Sequence, residues 1–127
     1  MTENPLNIEL LISQGLQSQS FEPGAKIFAS GDAGDCMFVV QSGTIEIATF
    51  GKVLDTIGTG DILGEMALID GAPRSATATA KEPSKVIAID KQAFRKMTQN
   101  NPDFALDIMA RLVDRLRRMN EAQIYFK

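Results

Sequence analysis

Apolar residues recur through residues 6–16 as Leu6, Ile8, Leu10, Leu11, Ile12 and Leu16, with Gly15 near the end, and this spacing predicts a short N-terminal helix. At about residue 19 the pattern changes. From there to about residue 89, short apolar-rich runs are separated by turn signals: Pro23-Gly24, Gly31-Asp32, Gly34-Asp35, Ser42-Gly43, Gly51-Lys52, Gly58 through Gly60 and Glu82-Pro83. Residues 44–48 (Thr-Ile-Glu-Ile-Ala) alternate polar with apolar, and residues 85–89 do so in part. Turns at such regular spacing favour an antiparallel barrel or roll. Beyond it, Asp90 is placed to cap a short helix over 91–98. Asn101-Pro102-Asp103 then reads as the start of a second helix, with a capping amide, a proline at the first position and an acid in the first turn. The expected class is α+β, mainly β: a β-roll or jelly-roll barrel over about 19–89, followed by C-terminal helices over about 91–126.

The last helix carries a second pattern. Ala105, Met109, Leu112, Leu116, Met119, Gln123 and Phe126 follow alternating steps of four and three, a heptad seam that either packs on the barrel or pairs with another helix. Arg111, Arg115, Arg117 and Arg118 are interleaved with Asp107 and Asp114, which stand at i,i+4 spacing. The expectation is a solvated face and not a nucleic-acid contact.

Composition narrows the function classes. A chain of 127 residues with 44% hydrophobic content forms one domain, residues 1–127. At this length roughly two-thirds of the unfolded chain's surface is buried on folding, so no staple is needed. The single cysteine, Cys36, excludes an internal disulfide and suits a reducing compartment. Neither a basic-then-apolar leader nor an apolar run of membrane-spanning length is found in the sequence, so a cytoplasmic location is expected. The net charge of −3 argues against a general nucleic-acid surface. Histidine is absent, which removes the commonest metal ligand and general base and makes a small metalloenzyme a poor reading. Neither a catalytic set nor a metal set is expected.

Residues 58–77 hold the chemistry. Gly64 and Glu65 open a short apolar turn, Met66-Ala67-Leu68-Ile69, and the loop Asp70-Gly71-Ala72-Pro73 leads to Arg74 and Ser75 at the head of an alternating strand. Free N–H groups at a helix start attract anions, and an arginine fork is suited to phosphate. A carboxylate is out of place in a site for an anion alone, but it accepts from a sugar hydroxyl. The ligand suggested is a phosphate joined to a ribose. The glycine spacing does not fit a dinucleotide fingerprint, and no Walker-type Gly-Lys-Ser/Thr occurs. Taken singly, Arg74 reads better as a surface ion pair with Asp70 or Glu65; the ordered set reverses that.

Gly64-Glu65-Met66-Ala67-Leu68 followed by Pro73-Arg74-Ser75-Ala76-Thr77 closely resembles the phosphate-binding cassette of cyclic nucleotide-binding domains. That family includes bacterial catabolite-activator-type regulators, protein kinase A regulatory subunits and nucleotide-gated channels. Residues 35–43 look like the family's central strand and glycine turn, and residues 102–126 like its long C-terminal helix, so the likeness covers about 15–126. Leu63 stands where many members carry phenylalanine. The resemblance implies a short cassette helix and no catalysis. It also implies roles: Gly64 admits the ribose-phosphate, Glu65 accepts from the ribose 2′-hydroxyl, and Ala67, next to Met66, offers its backbone N–H to the cyclic phosphate. Arg74 pairs with the exocyclic oxygens, Ser75 adds a hydroxyl, and Asn120 on the C-terminal helix is the candidate purine contact, with a plain surface role as its alternative.

The expected function is a regulatory module that binds a cyclic nucleotide and signals through its C-terminal helix, as a homodimer, to an effector protein. Cyclic AMP is the preferred ligand. Cyclic GMP is the alternative, since Ser75 matches the hydroxyl that serves guanine in cyclic-GMP-selective members. No cofactor, nucleic acid or membrane contact is implied. Two other readings remain: an interaction domain with an empty or differently occupied pocket, and the sensor of a larger transcription regulator, whose recognition helices would have to follow residue 127. Met1 looks like a natural start, which suits a stand-alone sensor or the sensor end of a longer protein.

Overall fold

The computed structural model describes the backbone of residues 6–125 and the side chains of 6–121. It opens with helix α1 (Ile8–Ser13), shorter than the apolar pattern predicts, which starts where the Asn7 side chain accepts the N–H of Leu10 at 3.0 Å. Eight strands follow: β1 (Ser18–Phe21), β2 (Lys26–Phe28), β3 (Cys36–Ser42), β4 (Ile45–Thr49), β5 (Lys52–Ile57), β6 (Ile62–Leu63), β7 (Thr77–Ala80) and β8 (Ser84–Asp90). Helix α2 (Glu65–Asp70) lies between β6 and β7, and α3 (Lys91–Asn100) and α4 (Asp103–Tyr125) are the last elements among the described residues.

The strands form two antiparallel four-stranded sheets, β1-β8-β3-β6 and β2-β7-β4-β5. The expected roll is present as two layers and not as a closed barrel. Strand β3 shows why. Phe38 and Val40 face the second sheet, with Ile45, Ile57, Leu63 and Val86, while Met37 and Val39 face the helices, with Leu11, Met97, Phe104 and Ile108. A strand covered on both faces reads as an unbroken apolar run, which is what residues 37–40 are.

Asp90 caps α3 as expected, accepting the N–H of Ala93 at 2.7 Å. At the start of α4, the group that accepts the N–H of Phe104 is the backbone carbonyl of Asn101, not its side-chain amide. The arginine face of α4 differs from the expectation. Arg111 is buried and pairs with Asp114 at i,i+3, while Arg115 reaches Glu65 of α2 and Arg118 reaches Asp55 of β5. The heptad seam is split as well. Leu112 packs against the core beside Phe104 and Ile108, while Met109, Leu116 and Met119 are exposed, together with Leu106 and Val113. Gln123 and Phe126 of that seam lie outside the described side chains. No helix among the described residues is long and apolar enough to cross a membrane.

Candidate functional site

Strand β6 ends at Leu63 and the chain turns directly into α2 through Gly64, whose φ of +75° is strained for any residue with a side chain. Space imposes the same choice, since a Cβ there would lie 2.5 Å from Nη1 of Arg74. No side chain caps α2. Seven residues after Gly64, Gly71, at φ +67°, ends the helix, and the Asp70 carboxylate holds the loop by accepting the N–H of Ala72 at 2.9 Å. The loop then carries the chain back to Arg74.

Arg74 is the centre of the site. Its backbone is pinned to the turn after β2 from both sides: it donates its N–H to the carbonyl of Asp32 and accepts the N–H of Gly31, both at 2.8 Å. The side chain is only 7% exposed. It donates from Nη1 to the Gly64 carbonyl at 2.9 Å and from Nη2 to the Cys36 carbonyl at 2.7 Å, and the guanidinium lies 4.3 Å above the Phe28 ring. Gly34 closes in from one side, for a Cβ there would meet Nε of Arg74 at 2.8 Å and Cβ of Ala67 at 2.6 Å. Arg74 forms no ion pair among the described residues, and its buried Nε has no hydrogen-bond partner. The surface pair with Asp70 or Glu65 that the isolated sequence allowed is not formed. A permanent cation held by carbonyls and an aromatic face, with no carboxylate partner, can receive an anion. Beside it, burial pushes the Cys36 thiol up, partly offset by the charge of Arg74, so the sulfur is protonated at neutral pH.

Glu65 has a different partner. Its carboxylate pairs with Nη1 of Arg115 from α4. Nη2 of the same arginine donates to the Ile62 carbonyl and lies 3.4 Å from Oδ1 of the buried Asp61. Arg118, one turn on, reaches Asp55 at 3.8 Å and Asp61 at 4.0 Å. A run of alternating charges thus ties α4 to α2 and the sheets along one wall of the site. The sequence offered one signal for this: arginines at 111, 115 and 118 are spaced for a single helix face.

A cavity of about 620 Å³ lies between these walls. Gly64, Glu65, Met66, Ala67, Arg74 and Ser75 all line it, with Phe28, Ile47, Leu54, Ile57, Arg115, Arg118 and Met119. Among these, Ala67 is buried, while Met66 and Ser75 are exposed. Asn120 is exposed and is not among the lining residues; Arg115, Arg118 and Met119 are what α4 contributes. The arrangement can hold an anionic group at Arg74 and a hydroxyl at Glu65, next to a largely apolar remainder.

Comparison with known proteins bears on that arrangement. The family model described as "Cyclic nucleotide-binding domain" matches residues 18–101. A cAMP-dependent protein kinase regulatory subunit of Yarrowia lipolytica is 39% identical over 88 residues, which cover 68% of this chain and 24% of that protein. A CRP-like cAMP-activated global transcriptional regulator of Mycobacterium tuberculosis is 30% identical over 114 residues, 86% of this chain and 51% of that protein. The chain therefore spans between a quarter and about half of these relatives' lengths. Among solved structures, the Catabolite Activator Protein of Thermus thermophilus superposes with a TM-score of 0.76 at 27% identity, covering 95% of this chain and 60% of that one.

Proposed function

We propose, since the chain belongs to the cyclic nucleotide-binding domain family, that it is a sensor whose ligand is cyclic AMP and whose output is the state of α4. The family is a regulatory and non-catalytic one. The observation that carries the reading is Arg74: a buried guanidinium with no carboxylate partner among the described residues and a free Nε, at the edge of a cavity also lined by Glu65. A cyclic phosphate supplies the missing charge and accepts from Arg74 and from the Ala67 N–H. A carboxylate has lone pairs for more than one donor, so Glu65 takes the ribose hydroxyl while still held by Arg115. That shared group is the link to α4. Seating the ribose changes the strength of the Glu65–Arg115 tie, and the helix responds through it.

The likeness to a cAMP-dependent kinase regulatory subunit and to a cAMP-activated regulator supports cyclic AMP over cyclic GMP as the ligand here. We place the module in the cytoplasm on its single, half-buried cysteine. Leu106, Met109, Val113 and Leu116, spaced three, four and three along α4 and all exposed, support a homodimer through this helix. Titration calorimetry against both nucleotides tests the assignment. Binding of cyclic AMP several-fold tighter than cyclic GMP is the expected result, and no heat with either at millimolar concentration overturns it.

A further inference from the structure

Strand β2 lies at the edge of its sheet, and its pairing with β7 holds one irregularity. Lys26 stands opposite Thr79 and Phe28 opposite Ala78, so two steps along β2 meet one step along β7. Ile27 is the extra residue of a bulge. In a regular strand, Phe28 would share the face of the exposed Lys26. With the bulge, Ile27 and Phe28 are both half-buried and both pack on the core around Phe38 and Val40. Bulges beside binding sites re-aim side chains, and this one aims a ring at a guanidinium.

The ring is seated firmly. It stacks on the buried Phe38, with centroids 6.0 Å apart and planes 28° from parallel. The Phe28 centroid lies 4.3 Å from Cζ of Arg74, and that of Phe38 lies 5.6 Å from the same atom. Cε2 of Phe28 also comes within 3.3 Å of the place a Cβ on Gly64 would take, so the ring backs the turn whose carbonyl accepts from Nη1. The face of an aromatic ring is negative and attracts a cation, most strongly where water is excluded. The two carbonyls take one N–H from each Nη, and the ring attracts the charge itself. We propose that Phe28 is a positioning residue: the negative face of its ring holds Arg74 in the empty site, so that the cyclic phosphate meets a fork already in place. This inference rests on the cyclic-nucleotide reading above. An aliphatic side chain would fill the same space without that face, so the electronics of the ring, and not its bulk, set the affinity.

The test places 4-fluoro-, 3,5-difluoro- and 3,4,5-trifluorophenylalanine at Phe28 alone in the full chain and titrates each form with cyclic AMP by calorimetry. Fluorine withdraws charge from the ring face while barely changing the ring's size. Affinity should fall stepwise along the series, reaching about fivefold weaker with three fluorines, and Phe28→Leu should lose about as much. Thermal melts check that each form keeps its fold. An affinity that stays level across the fluorinated forms, whether or not Phe28→Leu binds more weakly, shows that Phe28 acts by packing; it overturns the proposal and leaves the cyclic-nucleotide reading in place. Absence of binding by the wild-type chain overturns both.

Discussion

The two walls of the cavity hold their arginines in opposite ways. On the cassette wall, Arg74 is buried against Phe28 and two carbonyls and has no counter-ion among the described residues. On the helix wall, Arg115 has its charge met by the carboxylates of Glu65 and Asp61 and donates to the carbonyl of Ile62, its Nε being without a partner like that of Arg74. A cation whose charge is met inside the protein is a tie between elements. A cation buried without a counter-ion is costly in the empty protein, and that cost is recovered when an anion arrives. In the function proposed above, one wall receives the ligand and the other registers that it has come.

Substitution should separate the two roles. Arg74→Leu has the largest expected effect on affinity, a loss of more than about a hundredfold, or roughly 3 kcal/mol. The empty variant should melt at or above the wild-type temperature, because leucine packs on Phe28 without the cost of an unpaired charge. A large drop in melting temperature would show that Arg74 is a structural residue. Next comes Gly64→Ala, where a methyl group both opposes φ +75° and collides with Nη1 of Arg74. It should lower stability by about 1–2 kcal/mol and weaken binding at least tenfold, read by denaturant unfolding and calorimetry.

Arg115→Leu should weaken binding by about tenfold through a Glu65 that is no longer held in place, and it should speed amide exchange in the second half of α4. Unchanged exchange there would deny the helix wall its coupling role. Glu65→Gln should cost less than Arg74→Leu, only a few-fold, since an amide oxygen still accepts from a ribose hydroxyl. The two leucines of α4 divide the remaining question. Leu112→Glu buries a charge against the core and should unfold the chain, whereas Leu116→Glu should leave the melt within about 0.5 kcal/mol and abolish any dimer seen in sedimentation.

The cassette wall could be read from the sequence because its parts lie close together along the chain. Gly64, Glu65, Ala67, Arg74 and Ser75 fall within twelve residues, 64–75, and Gly64 and Gly71 flank α2, both in the left-handed conformation. Of the site residues read there, Asn120 is the one that stays away from the cavity. The helix wall was not legible for a physical reason. The Glu65–Arg115 tie joins residues 50 positions apart, while local spacing rules offered Asp107 and Asp114 as partners. A heptad period also gives the spacing of an apolar face without its rotation. Packing turns Phe104, Ile108, Arg111 and Leu112 inward and leaves Leu106, Met109, Val113 and Leu116 outside. The two-layer roll was legible in its turns, but the division of β3 between two cores required the partners on each face.

The most direct test of the difference between the walls is a thermal melt of wild-type and Arg74→Leu chains with and without cyclic AMP. At about a hundred times the dissociation constant, the ligand should add about 2.7 kcal/mol and raise the wild-type melting temperature by roughly 8–12 °C. The same concentration should add no more than about 0.4 kcal/mol to Arg74→Leu, a rise of less than about 2 °C. An equal rise in both chains would contradict the claim that the uncompensated charge of Arg74 is what receives the ligand.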